Sequence, residues 1–273
     1  MSAKLFDMKN QTALITGASG FLGFTHAFAL AELDSNLILT DINDKELLKL
    51  KDKIISEFPS LNVLTFKMDV TSESDIEKIS NNLKASYVKV DVLINNAAIN
   101  PIESELSLNS RLENFSKTQM NNEIDVGLIG TLLCSKIFGQ MMAENNYGSI
   151  INIASDLSVI APNQNLYSIE GVEAKNQKVK PVSYSIIKTG VIGLTKYLAT
   201  YWASSNVRVN AVSPGGIFNN QSKEFETRIS QLIPMGRMCR NSEIIGAIQY
   251  LASGASTYTT GQNLVIDGGR SIW

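Results

Sequence analysis

The sequence predicts an α/β fold: one doubly wound parallel sheet of about seven strands, with helices on both faces. Three observations predict it. Short apolar runs alternate with longer segments of helical periodicity along all 273 residues. A glycine-punctuated turn, Thr16-Gly17-Ala18-Ser19-Gly20-Phe21-Leu22-Gly23, joins the first run to the first helical segment. No repeat, linker or low-complexity tract divides the chain, so residues 1–273 read as a single domain.

The strands are predicted at 12–16, 36–40, 62–67, 90–95, 149–154, 207–212 and 263–266. They are apolar without polar alternation, as expected for strands covered on both faces. Helical segments lie between them, at 21–34, 43–57, 73–85, 115–145, 183–204 and 241–253. Asp44, Ser72 and Ser242 stand where N-terminal caps are expected. Strand–helix alternation with right-handed crossovers winds the sheet in both directions from its middle. The polar stretch 157–181, with Lys175, Lys178 and Lys180, exceeds an ordinary connection, and such loops are usually functional.

Composition excludes several classes. A net charge of −2 gives no field to draw nucleic acid or anionic lipid. The opening Met1-Ser2-Ala3-Lys4-Leu5-Phe6-Asp7-Met8-Lys9 lacks the apolar stretch of a secretion signal. No uninterrupted apolar run approaches the roughly 18 residues of a membrane span. Cys134 and Cys239 have neither metal-ligand spacing nor a framework around them. Reduced thiols, no metal and a cytoplasmic location are the expectation.

The glycine turn carries the first chemical signal. Gly17 permits the tight turn, Gly20 lets backbone approach a pyrophosphate, and Gly23 lets the helix pack on the sheet. Backbone N–H groups of Ser19, Phe21 and Leu22 then stand at a helix N-terminus, where phosphate binds. Asp41, 18 residues after Gly23, is placed to accept from both adenosine ribose hydroxyls. It would repel a 2′-phosphate, and no Lys or Arg stands at Ala18, Ser19 or Ile42 to offset it, so NAD is favoured over NADP. The same aspartate is also suited to helix capping. Asp69, Val70, Asn96, Ala97 and Ala98 follow the third and fourth strands, at the carboxyl edge where such sheets bind ligands.

The second signal is the segment Tyr184-Ser185-Ile186-Ile187-Lys188, which puts a phenol and an ammonium on one helical face. A phenol titrates near 10, too high for a base at neutral pH. A nearby ammonium and an oxidised nicotinamide would lower that value and suit it to proton exchange with an alcohol or ketone. Ser155, closing the fifth strand, can hydrogen-bond the substrate oxygen. His26, in an apolar helix, reads as packed, Met141 and Met142 as core or subunit contacts, and the charged helix at 44–53 as a solvated face.

With these motifs in order, the chain resembles the compact branch of the short-chain dehydrogenase/reductase family, a Rossmann-type fold. The resemblance also takes in Ser213-Pro214-Gly215, Pro234-Met235-Gly236-Arg237, Thr260-Gly261-Gln262 and Asp267-Gly268-Gly269. It implies Tyr184 as acid/base, Ser155 as orienting group, and Lys188 as both ribose ligand and tuner of Tyr184. It also implies cofactor contacts at Pro214, Gly215 and the backbones of Asn96 and Ile217. Homotetramers or homodimers built on the helices at 115–145 and 183–204 follow from the same resemblance. The second helix carries Ile186, Ile187, Val191, Leu194, Tyr197, Leu198 and Trp202, too apolar around its circumference for a solvent-facing helix.

Three departures stand out. Phe21 replaces a usual glycine. Gly127 occupies the position of the family's usual asparagine, where a helix bend and a main-chain carbonyl relay are expected. Ser155 and Tyr184 are 29 positions apart, an insertion beside the substrate. The insertion, the Asn95-Asn96-Ala97-Ala98 variant and the Ser271-Ile272-Trp273 ending also resemble bacterial flagellin-modification oxidoreductases of nonulosonic acid sugar synthesis. That resemblance implies an amino-sugar or sugar-phosphate substrate. The expected activity is NAD-dependent interconversion of a secondary alcohol and a ketone on a small polar molecule. A sugar epimerase or dehydratase with retained NAD, and a non-catalytic NAD-binding protein, remain the alternatives.

Overall fold

Seven parallel strands form one sheet: β1 (Thr12–Thr16), β2 (Asn36–Asp41), β3 (Val63–Lys67), β4 (Val92–Asn95), β5 (Gly148–Ile153), β6 (Val207–Pro214) and β7 (Asn263–Ile266). Their order is β3-β2-β1-β4-β5-β6-β7. The computed structural model describes residues 2–101 and 103–273. The chain reverses its winding between β1 and β4. That switch point opens a crevice at the carboxyl edge.

Side chains alternate across the sheet with period two. Ile15, Leu37, Leu39, Ile94 and Ile151 face one layer, packed by α1 (Phe21–Ala31), α2 (Asp44–Glu57) and α8 (Ile245–Ala252) through Leu30, Leu47, Ile54, Ile248 and Leu251. Leu14, Ile38, Leu93, Ile150 and Val209 face the other layer. There α3 (Glu73–Ala85), α5 (Gly130–Glu144) and α6 (Val182–Tyr201) supply Ile76, Ile79, Phe138, Met142 and Leu198. Each such buried side chain contributes about 1.5–3 kcal/mol of apolar transfer. The expected two-faced architecture is therefore observed.

Several boundaries differ from expectation. Asn43, not Asp44, caps α2, accepting from the Glu46 N–H, while Asp44 is the first helical residue. Ser72 caps α3 as expected. Ser242 caps nothing and lies inside a 3-10 turn, Asn241–Ile244, that leads into α8. The helix expected at 115–145 is two helices, α4 (Lys117–Ile124) and α5, joined by a π turn at Asp125–Ile129. Its length and composition would suit a membrane span, but half of its most apolar window is buried in this domain. A short helix not foreseen, α7 (Lys223–Ser230), packs Phe225 and Ile229 against Leu166, Ile233 and Met238. The apolar set on α6 splits: Ile187, Val191, Leu198 and Trp202 are buried in this chain, whereas Ile186 and Tyr197 are exposed. His26 and Met142 are fully buried, in keeping with packed roles.

Candidate active site

A cavity of about 780 Å³ lies at the carboxyl edge of the sheet, and every predicted site residue except Ser19 lines it. One end is built by the glycine turn. Gly17 has φ +60°, and a Cβ there would stand 2.8 Å from the Ala97 Cα. A Cβ at Gly23 would fall on the Gly17 carbonyl oxygen, so α1 closes on the turn only with glycine. At Gly20 a Cβ would meet only the Gly17 carbonyl, at 3.3 Å. The chain's own packing therefore leaves this face of the turn open. Gly20 is the N-cap of α1 with no side-chain cap bond, and the first turn holds no acidic residue. The helix thus presents unfilled N–H groups and a positive dipole end to the cavity.

Asn96 braces the glycine turn, which the sequence did not disclose. Its Nδ2 donates to the Thr16 and Gly17 carbonyls at 3.1 and 2.9 Å, tying β4 to the turn. Asp41 accepts from the Ser19 N–H and the Asn43 N–H, both at 3.1 Å. That is how Ser19 joins the site without lining it. Asp69 accepts from the Thr71 N–H and hydroxyl at 2.9 and 2.8 Å. Beneath the edge, Asn95 Nδ2 donates to Ser135 and Asn152, and Asn152 donates to Thr195, a buried polar chain that braces β4, β5 and α6.

Ser155, Tyr184 and Lys188 converge at the other end. Lys188 Nζ donates to the Ile153 carbonyl at 2.8 Å, which fixes the ammonium beside the end of β5. It lies 5.8 Å from the Tyr184 ring centroid. Burial, helped by the charge of Lys180, pulls its pKa down to about 8. In the chain alone the Tyr184 pKa is pushed up to about 12, whereas the expected lowering takes in the charge of an oxidised nicotinamide as well. Burial dominates, the nearby Ser155 hydroxyl opposes it, and the Asp156 carboxylate adds to it. The Ser155 hydroxyl donates to Asp156 Oδ1 at 3.0 Å and accepts from the Leu157 N–H at 3.2 Å. Asp156 in turn accepts from Arg270 Nη1 at 2.8 Å. Sequence reasoning missed this pair, because 114 positions separate its members.

Gly127 sits within the π turn, a helix irregularity at the position where a bend was expected. Its carbonyl accepts from the Thr131 hydroxyl at 3.0 Å, and Gly127 does not line the cavity. A Cβ there would meet Ile187 Cγ2 at 2.8 Å. Close packing against α6 thus gives the glycine its own reason.

The insertion forms one wall of the cavity through Leu157, Leu166, Tyr167 and Lys180. Arg111 Nη1 donates to the Ala174 and Gln177 carbonyls at 2.9 and 3.2 Å, and Arg228 reaches Ser168. Tyr167 packs on Phe225 with ring centroids 5.6 Å apart. Of the three lysines, Lys175 pairs with Glu173 at the surface and Lys178 lies outside the cavity, whereas Lys180 lines it.

Comparison with known proteins now settles the lineage. A family model described as enoyl-(acyl carrier protein) reductase matches residues 17–271. An NAD-dependent glycerol dehydrogenase of Listeria innocua is 30% identical, over 98% of this chain and 97% of its own. The chain belongs to the short-chain dehydrogenase/reductase family. As such it is an NAD(P)-dependent dehydrogenase/reductase. A short-chain dehydrogenase of Leptospira borgpetersenii, solved with bound NAD+, is 30% identical, with a TM-score of 0.84 over 97% of this chain and 94% of that one. The post-translational flagellin modification protein A of Campylobacter coli is 28% identical over 97% of this chain and 100% of its own. These relatives span several activities, and no one branch stands out among them.

Proposed function

We propose that this short-chain dehydrogenase/reductase uses NAD to interconvert a secondary alcohol and a ketone on a small polar substrate. The observation that carries the reading is the convergence of Ser155, Tyr184 and Lys188 on one cavity whose far end is the open glycine turn. A bound nicotinamide dinucleotide supplies the hydride acceptor or donor. The chain supplies the rest. Phe21 and Leu22 N–H groups meet phosphate at the uncapped end of α1. Asp41 meets the adenosine ribose, and the cavity's cations, Lys180, Lys188 and Arg270, all come from the opposite end, which favours NAD over NADP. Asp69, Val70, Ala97, Ala98, Pro214, Gly215 and Ile217 frame the cofactor.

Tyr184 Oη takes the alcohol proton in oxidation and returns it in reduction. Burial keeps that proton on in the free protein, and the charge of an oxidised nicotinamide would bring the phenol toward the range of proton exchange. Lys188, held by the Ile153 carbonyl, lends positive charge to the phenolate. Ser155, whose one hydroxyl proton rests on Asp156 in the free protein, turns it to the substrate oxygen when substrate binds.

Lys180 in the cavity wall and the resemblance to flagellin-modification oxidoreductases support a sugar derivative, an amino-sugar or sugar phosphate, as substrate. Exposed Ile129, Leu132, Ile186, Tyr197 and Tyr201 on the α5 and α6 side support pairing with a second copy. NADH absorbance on a panel of polyols, sugar phosphates and nucleotide sugars tests the reading. Tyr184→Phe should cut turnover by about 10²–10⁴-fold with NADH affinity retained. Undiminished turnover in that variant would exclude the mechanism. Tightly retained NAD with no net NADH formation would favour an epimerase or dehydratase instead.

A further inference from the structure

Lys180 holds a position that hydride and proton transfer do not require. It closes the insertion four positions before Tyr184, and its side chain lines the substrate half of the cavity while the residue is only 9% exposed. Its place is built from both directions: its N–H donates to Gln164 Oε1 at 2.9 Å, and Gln164 Nε2 donates to its carbonyl at 3.3 Å. The Nζ donates to Asn100 Oδ1 at 2.7 Å and to the Pro101 carbonyl at 3.3 Å. It stands 4.1 Å from the Tyr184 ring centroid, so one small ligand can span from the phenol oxygen to the ammonium.

The partners of this ammonium, two amide oxygens and the face of the Tyr184 ring, are all neutral. Among the described residues no carboxylate forms an ion pair with it. Asp156 is engaged by Arg270. Glu123 is engaged by Gln119 and Ser183, is buried, and does not line the cavity. Both attract the ammonium from a distance, and Lys188 repels it. Burial therefore wins, and the Lys180 pKa falls to about 8. A buried cation without a close anion is costly unless a ligand brings one.

We propose that Lys180 anchors an anionic oxygen group of the substrate, a carboxylate or a phosphate ester, next to the carbon that reacts at Tyr184. The proposal rests on the cavity being the dehydrogenase site and adds the charge of its substrate. Anchoring there would fix which hydroxyl of a polyol-like chain reaches Ser155 and Tyr184, because a charge-assisted bond outweighs the neutral ones around it. Lys175 and Lys178, in the same insertion, have no such place.

Calorimetric titration of malonate and of inorganic phosphate into the full chain, with and without saturating NADH, tests this. At least one probe should bind the wild type. Lys180→Met and Lys180→Gln should each weaken that binding about tenfold or more, Lys180→Arg should retain it, and Lys175→Met should leave it unchanged. NADH affinity, unaltered across the set, reports that each variant is folded. Malonate preference assigns a carboxylate, and phosphate preference assigns a phosphate ester. The proposal is overturned if neither probe binds the wild type, or if the uncharged variants bind as well as it does. Loss of NADH binding by the wild type would instead overturn the dinucleotide reading; phosphate can then also occupy the open glycine turn, so the part of the cofactor-free binding that Lys180→Met removes decides Lys180.

Discussion

Replacing Arg270 by Met should destabilise the protein by about 3–5 kcal/mol near neutral pH, because it strands a buried carboxylate. The Arg270 and Asp156 side chains are 7% and 4% exposed, so water screens their 2.8 Å contact little. Burial already raises the Asp156 pKa above its ordinary value, and Arg270 opposes that rise. Without the guanidinium the rise grows. A carboxylate whose folded pKa lies above its unfolded value favours the fold most below the unfolded value. That advantage is lost as pH climbs through the folded value. The penalty of Arg270→Met should therefore be small near pH 5 and largest near pH 8. At about 2–4 °C per kcal/mol for a chain of this size, the melting temperature should drop by about 6–20 °C. Urea unfolding of the wild type, Arg270→Met, Asp156→Asn and the double variant at both pH values measures this. The double variant should recover most of the loss, giving a coupling of about 2 kcal/mol or more. A loss under about 1 kcal/mol, equal at both pH values, would match an exposed pair and refute the reasoning, as would strictly additive losses.

Other outcomes follow from the same geometry. Lys188→Met should abolish most turnover yet raise cofactor-free stability by about 1–2 kcal/mol at pH 7, since an ammonium titrating at about 8 is buried at a cost that exceeds its bond to Ile153. That gap should close between pH 8 and 10.5, as the wild-type lysine sheds its charge on folding; melts across that window check it. His26 is buried with both ring nitrogens unpartnered, and its pKa falls from 6.5 to about 3. Its contribution is present above 6.5 and lost as pH falls toward 3, so His26→Met should gain about 2 kcal/mol on the wild type near pH 5. Parallel acid unfolding curves for the two proteins would contradict this. Gly127→Ala forces a Cβ to 2.8 Å from Ile187, the neighbour of Lys188, and should lower turnover more than NADH affinity. Equal loss of both would point to general disruption.

What was legible in the sequence was local. Apolar runs such as Thr12–Thr16 became strands within a residue or two of expectation, since a buried parallel strand needs no partner-specific pattern. The glycine turn was legible because glycine alone accommodates φ +60° together with the closeness of Ala97 at Gly17, and the closeness of Gly23 to the Gly17 carbonyl. Tyr184 and Lys188 were legible because helical spacing alone puts them on one face. The helix α7 was missed because most of its eight residues are polar, and only tertiary packing with Leu166, Ile233 and Met238 buries Phe225 and Ile229. The π turn was missed because no residue pattern marks the extra backbone turn at Asp125–Ile129.

By itself the sequence determined the strand order of events along the chain, the phosphate-ready turn and the phenol–ammonium pair, all set by contacts within a few residues. Only the tertiary structure decided which charges stand alone. It paired Asp156 with Arg270 across 114 positions, spent Lys188 on the Ile153 carbonyl, and left Lys180 among neutral acceptors over the Tyr184 ring. Burial and Coulomb attraction depend on distance through space, and the folded chain alone sets those distances.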